Sequence, residues 1–140
     1  MISRTSAYAL EAAIIIAARD GERVTAAEVA NELDLPANYL SKILNAMARA
    51  RLLESERGPR GGFRLARDPG GIAIEDIIGL FEDIGSGRRC FLGRGKCSDT
   101  DSCAMHDRWK KISGPMFDFF HDTTLDSLVA DRRRKTKAAR

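Results

Sequence analysis

Residues 25–66 constrain the fold more than any other stretch of the chain. Thr25, with Glu28 three positions on, has the form of a capping box and opens a short helix running through Leu33. Asp34-Leu35 makes a tight turn, and Pro36 suits the first turn of the next helix, about residues 36–50. That helix is two-faced. Leu40, Ile43, Leu44 and Met47 recur at helical spacing as a core stripe, while Asn38, Ser41, Lys42, Asn45 and Arg49 recur at the same spacing on the opposite side. A short strand (52–57), the run Gly58-Pro59-Arg60-Gly61-Gly62 and a second strand (63–66) then make a hairpin. Two short helices across a tight turn, followed by a basic hairpin, predict a winged helix-turn-helix.

The flanking segments predict a mainly α protein in which the small hairpin is the β structure. Residues 3–19 place Tyr8, Leu10, Ile14, Ile15 and Ala18 around most of a helix, which must therefore be buried on more than one side; Asp20-Gly21 ends it. A further helix at 74–84 packs by Ile74, Ile77, Ile78 and Phe81. Residues 85–102 lack periodicity and are expected to form a loop. From Cys103 to about Val129 a long helix is expected, kinked or interrupted at Gly114-Pro115. Its stripe of Trp109, Ile112, Met116, Phe119, Phe120, Leu125, Leu128 and Val129 calls for a second subunit to cover it. The expected organisation is a DNA-binding domain at 1–84, a cysteine loop at 85–102, a dimerisation helix at 103–130 and a disordered basic tail at 131–140.

Charge identifies the partner only when it is located. The net charge of +3 comes from the last ten residues, which carry six Lys/Arg against one Asp and leave residues 1–130 with 17 basic against 19 acidic side chains. Between Arg49 and Arg67, however, six arginines (49, 51, 57, 60, 64 and 67) face only Glu54 and Glu56, so phosphates would be met there. A solvated helix would show the same polar stripe as residues 38–49. The turn before it and the arginine-flanked hairpin after it favour DNA, with Asn38, Ser41, Lys42 and Asn45 suited to base edges and phosphates in the major groove. Arg57 and Arg60 suit the adjacent minor groove. No run of eighteen apolar residues exists, so no membrane partner is expected. The odd cysteine count and the absence of a secretion signal predict a reducing cytoplasm.

Cys90, Cys97 and Cys103 fall within fourteen residues, and His106 follows three positions after the last. Thiolates with an imidazole form a ligand set for zinc or for an iron–sulfur cluster, and the same thiols would serve a redox switch. Cys103 and His106 would share one face at the start of the last helix, where the dipole favours a thiolate. The intervening gaps of six and five residues are poor zinc-knuckle spacing, and the many charges between the cysteines argue against inert core thiols. The residue types leave cluster, zinc and thiol switch open. An enzyme using Cys90 or Cys103 with His106 or His121 is not expected. No Ser/His/Asp set, paired carboxylates or phosphate-binding glycine loop appears, and no small-molecule substrate is implied.

Tyr8-Ala9-Leu10, Asn38-Tyr39-Leu40 and the wing Arg57-Gly58-Pro59-Arg60-Gly61-Gly62-Phe63 resemble the IscR/NsrR family of iron–sulfur transcription regulators, as do the three cysteines followed by His106-Asp107-Arg108-Trp109. The resemblance covers about residues 1–130. It implies a homodimer that binds a palindromic operator in double-stranded DNA under the control of a cluster. Within it, Cys90, Cys97 and Cys103 match the thiolate ligands. His106 matches the fourth ligand of the cluster-biogenesis branch, which favours a 2Fe–2S cluster over the 4Fe–4S alternative. Ala7 stands where the nitric-oxide-sensing branch can supply an aspartate, and the Cys90–Cys97 gap is one residue longer than the family's usual pattern. Asn38, Tyr39, Ser41 and Lys42 align with base-reading positions, and Arg57 with the wing arginine. Oxidant, nitric oxide or iron status would be the signal.

Overall fold

Helix α1 (Arg4–Ala17) is the hub of the fold. Ser3 caps it by accepting a hydrogen bond from the Ser6 amide at 3.1 Å. Its buried side includes Ala9, Ala12, Ala13 and Ala17, small residues that let neighbouring elements come close, while Ile15 and Ile16 fill the space between them. The computed structural model describes residues 2–84 and 89–140. Packed on α1 are α2 (Ala26–Leu33), α3 (Ala37–Arg49), the strand β2 (Gly62–Leu65), α4 (Ile74–Ile78) and, from the far end of the chain, α6 (Leu125–Ala138).

The helix-turn-helix forms as its local chemistry dictates. Thr25 accepts from the Glu28 amide at 3.1 Å and Glu28 accepts from the Thr25 amide at 2.7 Å, closing the capping box. The Thr25 amide, and after it the Thr25 hydroxyl, which donates to the same carboxylate oxygen at 3.0 Å, hold the Glu28 carboxyl below its usual range. Asp34 ends α2 in the left-handed region at φ 54°. Pro36 is the N-cap residue of α3, one position before the first turn expected for it, and its carbonyl accepts from the Leu40 amide at 3.1 Å. Leu40, Ile43, Leu44 and Met47 are buried as the stripe requires. Truncating either of the two leucines, both fully enclosed, would cost about 2–5 kcal/mol.

Strand β1 (Leu53–Glu56) pairs antiparallel with β2, Leu53 opposite Leu65 and Glu56 opposite Gly62. Strand β1 is one residue shorter at each end than its sequence run of 52–57, and β2 keeps the length of its run of 63–66 but begins one residue earlier. Val24 extends the hairpin by exchanging both backbone hydrogen bonds with Phe63 (2.9 and 2.7 Å), which ties the wing to the entry of α2. Gly62 has φ 133°, and a Cβ there would stand 2.7 Å from the Val24 carbonyl oxygen. Only glycine lets the wing dock this closely.

The C-terminal third departs from expectation. The helix expected at 74–84 is the short α4, continued by turn hydrogen bonds as far as Glu82. The single helix expected from Cys103 to Val129 is two helices, α5 (His106–Asp122) and α6. Pro115 lies inside α5, so Gly114-Pro115 does not interrupt the chain; the break falls at Thr123-Thr124. There the backbone pairs with the segment before α4: the Ile74 amide donates to the Thr123 carbonyl at 2.9 Å and the Leu125 amide to the Ile72 carbonyl at 3.0 Å. Phe120, Leu125 and Val129 are buried within the same chain, so only part of the apolar stripe is left uncovered. Leu125 and Val129 join the core of the winged domain rather than a separate unit.

The basic tail expected to be disordered is instead helical through Ala138. Arg132 reaches Glu32 at 2.6 Å and Arg133 reaches Asp20 at 3.1 Å, anchoring α6 to α2 and to the end of α1. Among the described residues, no helix is long and apolar enough to cross a membrane.

Candidate nucleic-acid interface and cysteine cleft

The polar side of α3 and the tip of the wing present cations that pair with no acidic side chain among the described residues. Asn38, Tyr39, Lys42 and Asn45 are exposed on α3, and Arg57 and Arg60 are exposed at the tip of the wing. The two acids of this stretch are already engaged, Glu54 by Arg64 and Glu56 by Arg23, both at 2.8 Å. Among the described residues no side-chain partner holds Lys42, Asn45, Arg57 or Arg60, so these four are free to meet a ligand. Ser41 is less available, because its hydroxyl donates to the Ala37 carbonyl at 2.8 Å. Asn38 accepts from the Tyr39 amide at 3.0 Å. Tyr39 leans away along α1, its ring edge-on to Tyr8 with centroids 6.2 Å apart and its hydroxyl 3.1 Å from Thr5.

Cys90, Cys97, Cys103 and His106 line one small cleft of about 50 Å³ together with Arg94, Lys96, Ser98 and Asp101. They converge as two pairs. The Cys90 thiol donates to Cys103 Sγ at 3.5 Å, and Cys97 Sγ lies 3.1 Å from His106 Nδ1. Among the described residues, no three His, Cys, Asp or Glu side chains gather tightly enough to hold one metal ion. Despite its charged surroundings Cys90 is only 8% exposed. Backbone amides of Arg94 and then Leu92, with a smaller contribution from Cys103, hold its thiol below the usual range.

The six-residue gap between Cys90 and Cys97 closes as a tight turn. The Cys90 amide donates to the Gly95 carbonyl at 2.8 Å, Arg89 bridges Lys96, and Gly93 and Gly95 take φ of 75° and 91°. The loop expected from residue 85 begins, at 85–88, outside the described residues. Cys103 stands just before α5 rather than within its first turn, its carbonyl accepting from the His106 amide at 3.0 Å.

Several neighbours of the cleft were not singled out from sequence. Asp99 lies 2.8 Å from His106 Nε2, and Lys110 donates to the same carboxylate oxygen at 2.7 Å. Those two bonds, Lys110's first, hold the Asp99 carboxyl below its usual range. The i,i+4 spacing of His106 and Lys110 on one helix was the available signal. Trp109 donates its indole N–H to the Arg89 carbonyl at 3.1 Å and packs on Phe91 with centroids 5.4 Å apart. Arg89 in turn reaches Asp83 at 2.6 Å. The adjacent Glu82 accepts from the Ser3 amide at 2.8 Å. A chain of contacts thus runs from the cleft to the start of α1 and on through Thr5 to Tyr39. His121, exposed on α5, bonds Glu75 at 2.6 Å.

The chain is similar to known regulators over nearly its whole length. It is 42% identical to the putative HTH-type transcriptional regulator BadM of Rhodopseudomonas palustris over 140 residues, covering 97% of this chain and 87% of the relative. Among solved structures it resembles CymR, the global cysteine regulator of B. subtilis, with a TM-score of 0.78 at 25% identity, covering 93% of this chain and 96% of that one. It also resembles T. potens IscR, with a TM-score of 0.73 at 25% identity, covering 94% and 88%. With the family of iron-dependent transcriptional regulators named Rrf2 matching residues 2–131, and a winged-helix DNA-binding architecture to go with it, the chain belongs to that family.

Proposed function

We propose that this transcriptional regulator binds a palindromic operator as a homodimer and that an iron–sulfur cluster, of the 2Fe–2S type, controls the binding. Cys90, Cys97, Cys103 and His106 would be the ligands. The observation that carries this reading is their convergence on one cleft in two pairs. In a two-iron cluster each iron takes two protein ligands. A mononuclear zinc site needs four donors around a single centre instead, and the two-pair arrangement does not offer that. The cationic Arg94 and Lys96 beside the thiols suit an anionic group. When bound, such a group supplies an electron-accepting centre sensitive to oxidant, nitric oxide and iron supply. Similarity to T. potens IscR supports the assignment.

On the DNA side, Asn45 and Lys42 would meet the major groove and Arg57 and Arg60 the neighbouring minor groove, with Asn38, Tyr39 and Ser41 in supporting positions. The homodimer is supported by Ile112 and Phe119, 64% and 57% exposed on α5. With the half-buried Trp109 and Met116 they form a stripe at helical spacing that a second copy would cover. Coupling would run through Trp109, Arg89, Asp83, Glu82, Ser3 and Thr5 to Tyr39 beside the recognition face. It has to favour one DNA-binding state by about 1–3 kcal/mol to act as a switch.

Anaerobic purification tests the assignment. Brown protein with about two iron and two sulfide per chain is expected. Colourless protein holding one zinc contradicts it. A second reading rests on the Cys90–Cys103 contact and on the likeness to CymR: a peroxide-class oxidant taking two electrons and both thiol protons would join these sulfurs as a disulfide and make the cleft a thiol switch. Metal-free protein whose DNA affinity changes reversibly with dithiol reductant would favour it.

A further inference from the structure

We propose that Asp99 is a positioning residue for the cluster site, fixing the imidazole of His106 so that Nδ1, and not Nε2, is presented as the ligand atom. The inference rests on the reading of His106 as a ligand and goes one shell beyond it.

His106 is only 7% exposed, so its ring has little freedom to exchange partners with water. Nδ1 points at Cys97 Sγ, 3.1 Å away, on the cleft side. Nε2 points away from the cleft to Asp99 Oδ1 at 2.8 Å. A neutral imidazole carries one N–H and one lone pair. A carboxylate accepts and never donates when ionised, so the proton sits on Nε2 and the lone pair on Nδ1. Carboxylates in this position orient ligand histidines and raise their basicity, and removing them typically costs 10–100-fold in metal affinity. Asp99 comes from the segment between Cys97 and Cys103, so orienter and thiolates are carried on one short piece of chain. Lys110, one turn after His106 on α5, donates to the same oxygen at 2.7 Å and gives the exposed Asp99 side chain a second hold beside the imidazole. An ordinary exposed ion pair would show similar distances but would leave the cluster untouched.

The test compares wild type, Asp99→Asn, Asp99→Ala, His106→Cys and the double variant His106→Cys/Asp99→Ala, each loaded anaerobically. Cluster loss is timed as bleaching in EDTA, and the reduced proteins are examined by EPR. Asp99→Ala should speed bleaching by about 10–100-fold, with Asp99→Asn between it and wild type, and the same change should be worth less than about twofold when residue 106 is cysteine. Bleaching of Asp99→Ala at the wild-type rate, or an equal acceleration in both backgrounds, overturns the proposal. The EPR of His106→Cys separates the two layers. Unchanged g-values remove His106 as a ligand and Asp99 with it, whereas changed g-values with a silent Asp99→Ala remove Asp99 alone.

Discussion

The DNA-reading half and the cysteine half of this protein are held together in different ways. From Thr25 to Leu65 the backbone satisfies itself: a reciprocal capping box, a left-handed turn at Asp34, a paired hairpin and the Val24–Phe63 bridge leave Lys42, Asn45, Arg57 and Arg60 free for a partner. From Arg89 to Met105 there is no helix or strand. The segment is held by a glycine turn, one Trp109 hydrogen bond and side-chain pairs centred on the four candidate ligands. On the function proposed above, the first half would keep its shape whatever binds and the second would depend on what binds. That contrast is what a sensor joined to a fixed reading head requires.

The sharpest way to break the comparison is Cys97→Ala. Cluster assembly should be abolished while far-UV circular dichroism and dimer mass stay unchanged; a variant that assembles a normal cluster removes the ligand assignment. Next in size come changes on the reading face. Asn45→Ala should cost about 1–3 kcal/mol on a specific operator and nothing on random DNA. Arg57→Ala should weaken operator binding and lower the slope of log affinity against log salt by about 0.9 or less, with some loss of sequence preference where the wing enters the minor groove. Equal losses on both DNAs for Asn45→Ala would demote it from base reader to backbone contact.

Thr25→Ala removes a cap in the self-satisfied half and should lower stability by about 1 kcal/mol without touching cluster content. Urea denaturation measures the first part and iron analysis the second, and a loss of iron would blur the division between the halves. The smallest expected effect is at His121. Glu75, by hydrogen bond and then by charge, raises the His121 pKa above its ordinary value. The stabilisation is therefore fully present below about pH 6.5 and fades as pH climbs through the raised value. Because the pair is exposed the effect is small. Melting temperatures of His121→Gln and wild type should differ slightly at about pH 6 and coincide at about pH 9, and an equal offset at both would point to lost packing instead.

What sequence could foresee followed the same line between local and distant causes. The capping box at Thr25, the stripe at Leu40–Met47 and the glycine wing were legible because each is decided by residues within a few positions. The break at Thr123-Thr124 was not, since Ile72 and Ile74 decide it by pairing with backbone some fifty residues away. The helical tail was missed for a related reason: Arg132 and Arg133 are ordered by Glu32 and Asp20, about a hundred residues earlier. The four candidate ligands were visible as residue types at suggestive spacing. Their division into two pairs, the Asp99 orienter and the burial of Cys90 depend on how the Gly93–Gly95 turn folds, which composition does not encode.

In the proposed function the state of the cysteine cleft sets operator affinity. That dependence is tested most directly by titrating one labelled operator with cluster-loaded and with cluster-free protein at the same salt concentration. Dissociation constants that differ by about tenfold or more are expected, equivalent to at least about 1.4 kcal/mol of coupling. Superimposable titrations would contradict it.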